Sequence, residues 1–142
     1  MPEIEKVTRT KRVLLVEDQP VDRILLEDSL KSIYEIDTAA DSETALDRLD
    51  SPFLPTVDLL LLDLKLPRRY GQEDTKEEGY RVIERVFQKE GGSSPEIVVV
   101  SNYLTPEDRE RLERLGVRYM LPKRVTDEQL HEAVAGALKP AA

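Results

Sequence analysis

The chain has 142 residues, enough for one domain, with 29 acidic against 21 basic side chains, a net charge of -8, no cysteine and one histidine, His131. An acidic surface without a basic cluster argues against direct nucleic-acid binding, and the missing cysteine removes disulfides, thiolate chemistry and Cys-ligated zinc. The opening MPEIEKVTRTK has no signal-peptide character and no apolar run could span a bilayer, so no membrane partner and a cytoplasmic location are expected.

Residues 1–11 read as a flexible N-terminal segment, 12–139 as the folded domain and 140–142 as a tail. The first strand is RVLLV (12–16), a continuous apolar run of the kind buried on both faces. A helix follows from Pro20, placing Val21, Ile24, Leu25 and Asp28 on one side with Leu26 and Leu30 nearby. YEIDTA (34–39) alternates, as an edge strand does, and DSETALDRLD (41–50) groups Ala45, Leu46 and Leu49 on a helix with an acidic start. VDLLLL (57–62) is the third strand. The charged segment 68–78 interrupts the rhythm before a helix over 79–90 that groups Val82, Ile83, Val86 and Phe87. EIVVV (96–100) is the fourth strand. The next helix has Thr105 as cap, Pro106 at its first position, Leu112 and Leu115 on its apolar side and Gly116 as its stop. VRYML (117–121) and the helix 126–139, with Leu130, Ala133, Val134, Ala137 and Leu138, complete the series; Gly136 costs that helix roughly 1 kcal/mol of propensity.

Five strand–helix units of this kind predict an α/β fold with a parallel five-stranded sheet and helices on both faces. In the order 2-1-3-4-5, strands one and three are neighbours, and ligands of such sheets bind at the carboxyl edge where the order reverses. The exceptional polar residues fall at that edge: Glu17 and Asp18 after strand one, Asp63 after strand three, Ser101 after strand four and Lys123 after strand five. Three converging carboxylates repel one another, and a hard divalent cation such as Mg²⁺ relieves that. Asp63 can then serve as a nucleophile toward phosphorus, with Lys123 and Ser101 supplying positive charge and a hydrogen bond to the phosphoryl oxygens.

VLLVEDQPVDRILLEDSL, VDLLLLDLKLP, VVVSNYLT and GVRYMLPK together resemble the receiver domain of two-component response regulators (the CheY-like superfamily), over about residues 12 to 138. The resemblance implies a flavodoxin-like (βα)5 fold. Asp63 would be the phosphoacceptor, charged by a histidine kinase or phosphotransfer protein. Asp18 and Asp63 would ligate Mg²⁺ directly, Glu17 through a water and Lys65 through its backbone carbonyl. Ser101 would be the switch hydroxyl and Lys123 the phosphate-sensing lysine. The output face would be helix four, strand five and helix five, which would take a downstream protein or a second copy. Such a chain is not an enzyme in the usual sense, although it assists its own phosphorylation and dephosphorylation. As it ends just after the fifth helix, it is expected to be a stand-alone receiver or one cut from a larger protein.

Four departures from the family pattern stand out. The coupled aromatic is Met120, with Tyr119 one residue earlier and therefore on the opposite strand face. Arg124 follows Lys123 where the family has proline, which predicts a trans bond there. Asn102 is larger than the usual residue after the switch hydroxyl, while Lys65 and Tyr103 occupy the positions that tune dephosphorylation and predict a phosphoryl lifetime longer than minutes. Gly71 keeps the usual glycine spacing, yet Gly79 opens the better helix, so 68–78 reads as an insertion of roughly eight residues. Its role is left open between a kinase contact, a longer third helix and a passive loop. The competing functions are a pseudo-receiver that binds without phosphorylation and a small phosphate-ester hydrolase, for which Glu73 and Asp74 would be candidates. His131, among acidic neighbours, is expected to be an ordinary boundary residue.

Overall fold

A computed structural model describes residues 9–88 and 94–139. The end of the expected third helix at 89–90, most of the N-terminal segment and the tail lie outside the described residues. Strands β1 (Arg12–Val16), β2 (Glu35–Ala39), β3 (Leu59–Leu62), β6 (Glu96–Ser101) and β7 (Tyr119–Pro122) form one parallel sheet in the order β2-β1-β3-β6-β7. That is the expected 2-1-3-4-5, once two short strands, β4 (Leu66–Pro67) and β5 (Asp74–Thr75), are set apart as an antiparallel hairpin. The helices are α1 (Pro20–Leu30), α2 (Ser42–Asp50), α3 (Lys76–Gln88), α4 (Pro106–Leu115) and α5 (Asp127–Leu138).

The unbroken apolar strands follow from a sheet covered on both sides. Leu14, Val16, Leu60, Leu62 and Val99 pack toward α2, α3 and α4, while Val13, Leu15, Leu59, Leu61 and Val98 pack toward α1 and α5. Each fully buried Leu of β3 contributes roughly 1.5–3 kcal/mol of transfer free energy, which fixes the strand whose end carries Asp63. The helix starts follow from their caps. Asp41 accepts from the Thr44 amide at α2, and Thr105 and Thr126 form capping boxes at α4 and α5.

Three expectations change. The Val21, Ile24 and Leu25 side of α1 faces solvent, at 69%, 56% and 62% exposure, and the helix packs through Leu26 and Leu30 instead. Its apolar residues cover more of the circumference than the sheet can, and periodicity cannot choose between adjacent stripes. Phe87 is likewise exposed, although Val82, Ile83 and Val86 of α3 are buried. Finally, α3 begins at Lys76 rather than at Gly79, because β5 delivers the chain directly into it.

The insertion is a folded hairpin pinned to α2. The Tyr70 amide donates to Asp41 at 2.8 Å, and the Glu43 amide donates to the Arg68 carbonyl at 3.2 Å. Gly79 lies so close to Leu64 that a Cβ there would sit 2.2 Å from its carbonyl oxygen, whereas Gly71 adopts a left-handed φ of +92° with open space around it. Gly79 is thus the glycine needed for the close approach of α3 to the backbone between β3 and β4, and Gly71 belongs to the hairpin turn. A similar fit explains Gly136 of α5: a Cβ there would meet the Tyr119 hydroxyl at 2.7 Å.

Candidate functional site

The last residue of β6, Ser101, and the segments that follow β1, β3 and β7 bring the five expected side chains together at the carboxyl edge of the sheet. Asp63 follows β3 directly, and its amide donates to the Val16 carbonyl at 3.1 Å, continuing the pairing with β1. Its Oδ1 accepts from the Ser101 hydroxyl at 2.8 Å and from the Lys65 amide at 3.2 Å. Its Oδ2 accepts from the Lys123 ammonium at 2.8 Å. Lys123 also donates to Glu17 Oε1 at 2.8 Å and Asp22 Oδ2 at 3.1 Å, and its amide donates to the Ser101 carbonyl at 3.1 Å. Asp18 stands beside this group: ligand oxygens from Glu17, Asp18 and Asp63 all lie within 4.8 Å of one another.

The electrostatics follow from that crowding. Burial, reinforced by the Asp63 carboxylate, raises the Glu17 pKa to about 8. Burial also raises Asp18, with Asp74 and Asp63 adding repulsion. Burial opposes the charge of Lys123, but its hydrogen bonds to Asp63 and Glu17 outweigh that and hold it protonated, above its ordinary pKa.

The donor set fits a hard divalent cation. It offers only oxygens, and Glu17 Oε2 is buried without a hydrogen-bond partner. An orphaned buried carboxylate oxygen is costly, and a cation or its bound water would satisfy it.

A cleft of about 440 Å³ opens over Asp63, walled by Asp18, Gln19, Lys65, Ser101, Asn102 and Lys123, and also by Asp74, Lys76 and Tyr103. Asn102 and Tyr103 are exposed beside it, Tyr103 with a φ of +54°. The strand-face argument holds for β7: Met120 packs toward the α2–α3–α4 side and Tyr119 toward α1 and α5. The Lys123–Arg124 peptide bond is cis, contrary to the trans bond expected before Arg124. Lys123 is held at its amide by Ser101 and at its ammonium by three carboxylates, so the site rather than the following residue sets the loop's path.

Several contributors were not legible in the sequence. Asp22 sits on α1, one turn from Asp18, among many acidic residues. Arg23 braces the loop after β1 by donating to the Glu17 carbonyl at 2.9 Å. Asp74, named with Glu73 from the sequence but without a place, reaches the cleft together with Lys76 because the insertion folds into a hairpin, whereas Glu73 is exposed and outside the cleft wall. His131 lies apart from the site, bonded to the Ser29 carbonyl across α1 and α5.

The profile of the response regulator receiver domain matches residues 13–135. The chain belongs to that family. Receiver domains are generally signalling switches rather than enzymes, interact with histidine kinases, and use Mg²⁺ at an acidic pocket of this kind. The chain is similar to part of the sensor histidine kinase RcsC of Salmonella typhi, at 32% identity over 87% of this chain but 12% of that protein. The chain thus spans about an eighth of that relative's length. Among solved structures, it resembles the signal receiver domain of a putative Luxo repressor protein from Vibrio parahaemolyticus, with a TM-score of 0.77 and 24% identity, covering 92% of this chain and 91% of that one. A CheY-like receiver domain protein from Methanospirillum hungatei JF-1 gives a TM-score of 0.75 at 24% identity, covering 92% and 94%. These structural likenesses concern the receiver fold. None of the described helices is long and apolar enough to cross a membrane.

Proposed function

We propose that this receiver domain is a phosphorylation-activated switch in which Asp63 accepts a phosphoryl group from a histidine kinase or phosphotransfer protein. The observation that carries the reading is the Asp63 carboxylate, held at 2.8 Å by both the Lys123 ammonium and the Ser101 hydroxyl at the floor of an open cleft. A carboxylate oxygen attacks phosphorus as the P–N bond of a phosphohistidine breaks, and the departing imidazole nitrogen takes a proton. Little covalent help is needed; the transfer depends on alignment and on positive charge around the phosphoryl oxygens. Lys123 supplies a fixed ammonium, and Ser101 turns its hydroxyl from Asp63 to a phosphoryl oxygen. Asp18 and Asp63 would hold Mg²⁺ directly, with Glu17 acting through a water and Lys65 through its carbonyl. When bound, the ion offsets the charge that accumulates between the carboxylates and the phosphoryl group.

The donor docks on the exposed apolar side of α1. Val21, Leu25 and Leu26 line a groove with Val100, Arg124 and Val125 that reaches Lys123 itself, which places an apolar platform beside the acceptor. The output face is α4, β7 and α5, which meets a downstream protein or a second copy when Ser101 and its loop move. A cytoplasmic location accompanies the role, because donors of this class are charged from ATP.

A pseudo-receiver is the second reading. It is favoured by Met120 at the coupling position and by Tyr119 facing α5. The experiment that separates the two is intact mass spectrometry after incubation with Mg²⁺ and acetyl phosphate or phosphoramidate. One added phosphoryl group, absent from Asp63→Asn, is expected. An unmodified wild-type chain would favour the pseudo-receiver, and steady ester turnover far beyond one equivalent would favour a hydrolase.

A further inference from the structure

Lys76 is a lysine of the insertion, and it stands in the wall of the phosphoacceptor cleft. It opens α3 immediately after the β5 strand of the hairpin. Its ammonium donates to Asp108 Oδ2 at 2.5 Å and to the Tyr103 carbonyl at 2.9 Å. Both acceptors belong to the segment that follows Ser101. Lys76 therefore ties the hairpin side of the cleft to the loop between β6 and α4, whose near end is already tied to Asp63 through Ser101.

Lys65, Lys76 and Lys123 all line the cleft; Lys65 is exposed, and the other two ammonium groups are held to different degrees. Lys123 is enclosed by three carboxylates and nearly buried. Lys76 has one carboxylate and one carbonyl and remains partly exposed. Its departure would leave neither acceptor stranded. Asp108 keeps the Tyr80 hydroxyl at 2.7 Å and the Thr105 amide at 3.1 Å, and the Tyr103 carbonyl lies in an exposed residue where water can replace the lysine. A phosphoryl group on Asp63 brings added negative charge and three strong acceptor oxygens into the same cleft. Of the two held lysines, Lys76 is the less committed, and its flexible stem lets the ammonium turn toward the added charge.

We infer that Lys76 is a second phosphoryl-responsive cation: it clamps the Tyr103 loop while Asp63 is unmodified and moves to the phosphoryl oxygens once Asp63 is charged. The inference rests on the phosphoacceptor reading. Lys76 acts as a positioning residue. It links the occupancy of Asp63 to the freedom of residues 102–105, next to the α4 end of the output face. The lysine comes from the insertion itself, so the hairpin takes part in the switch.

The test is hydrogen exchange of residues 102–105 in the full chain, with intact mass recorded on the same samples. Without phosphodonor, Lys76→Met should raise exchange in this loop by about tenfold over wild type, while exchange in β1 and β3 stays unchanged and reports an intact fold. Wild type should show the same rise on phosphorylation, phosphorylated Lys76→Met should show little further change, and Lys76→Arg should restore the wild-type pattern. Equal loop exchange in unmodified wild type and Lys76→Met would overturn the clamp. A full phosphorylation-dependent rise in Lys76→Met would overturn the exchange of partners. A wild-type chain that gains no phosphoryl mass would overturn the phosphoacceptor reading and this inference with it, which the mass record distinguishes from the first two outcomes.

Discussion

The Lys123 ammonium lies 2.8 Å from Asp63 Oδ2, inside a ring of carboxylates that includes Glu17 and Asp22. Removing one partner of a buried ion pair leaves uncompensated charge and costs roughly 3–5 kcal/mol. Lys123→Met should therefore be destabilised by about that amount in urea titrations without divalent cation. Mg²⁺ should recover more stability in this variant than it adds to wild type, because the ion replaces the missing positive charge. Equal Mg²⁺ effects in the two proteins would show that the ion and Lys123 do not share the same carboxylates.

The pH dependence follows from Glu17, whose pKa rises from 4.5 to about 8 on folding, chiefly through burial. Between those values the native state holds a proton that the unfolded chain has lost, so the group lowers stability as pH rises through that window and adds no further slope above it. Without divalent cation, wild type should lose stability from pH 5 to 8 relative to Glu17→Gln, by up to about 1.4 kcal/mol per pH unit. Mg²⁺ uptake displaces the same proton, so isothermal titration should show affinity rising with pH and levelling near 8. A pH-independent affinity would remove Glu17 from the ion's surroundings.

Gly71 of the insertion and Gly79 of α3 separate cleanly by mutation. Gly79→Ala drives a Cβ into the Leu64 backbone and should cost more than about 4 kcal/mol or prevent folding. Gly71→Ala meets no neighbour and pays only for its left-handed φ, about 1–2 kcal/mol. Thermal melts of the pair check this.

The α1 platform predicts a split between donors. Leu25→Glu should slow transfer from a protein phosphodonor by roughly tenfold or more, the effect of losing one anchoring apolar contact. The rate with acetyl phosphate should be unchanged, since that donor needs no docking surface. Equal slowing with both donors would place Leu25 in the chemistry rather than in the contact.

Lys65 and Tyr103 line the cleft that opens over Asp63. The expected half-life of the modified chain exceeds minutes, and decay followed by intact mass checks it. Decay within seconds in the absence of a phosphatase would contradict a hindering role for this pair.

The sheet, its order and the convergence of Glu17, Asp18, Asp63, Ser101 and Lys123 were legible because continuous apolar strands leave each polar exception in a defined place, at a strand's end. Side-chain commitments across the chain were less legible. Asp22 and Asp108 look like ordinary acidic helix residues until Lys123 and Lys76 arrive from distant segments. The exposed stripe of α1 was misjudged because apolar periodicity reports a helix face without reporting what covers it. In 68–78, charge concealed the turn and second strand of a hairpin whose strands are only two residues each, too short for any pattern to register.

The most direct test is chemical location of the modification. Borohydride reduces an aspartyl phosphate to homoserine, so wild type charged with Mg²⁺ and phosphoramidate, then reduced and digested, should yield the peptide around 57–67 with homoserine at position 63 and no other conversion. Homoserine at another aspartate, or an unconverted peptide from a chain that had gained phosphoryl mass, would contradict the account.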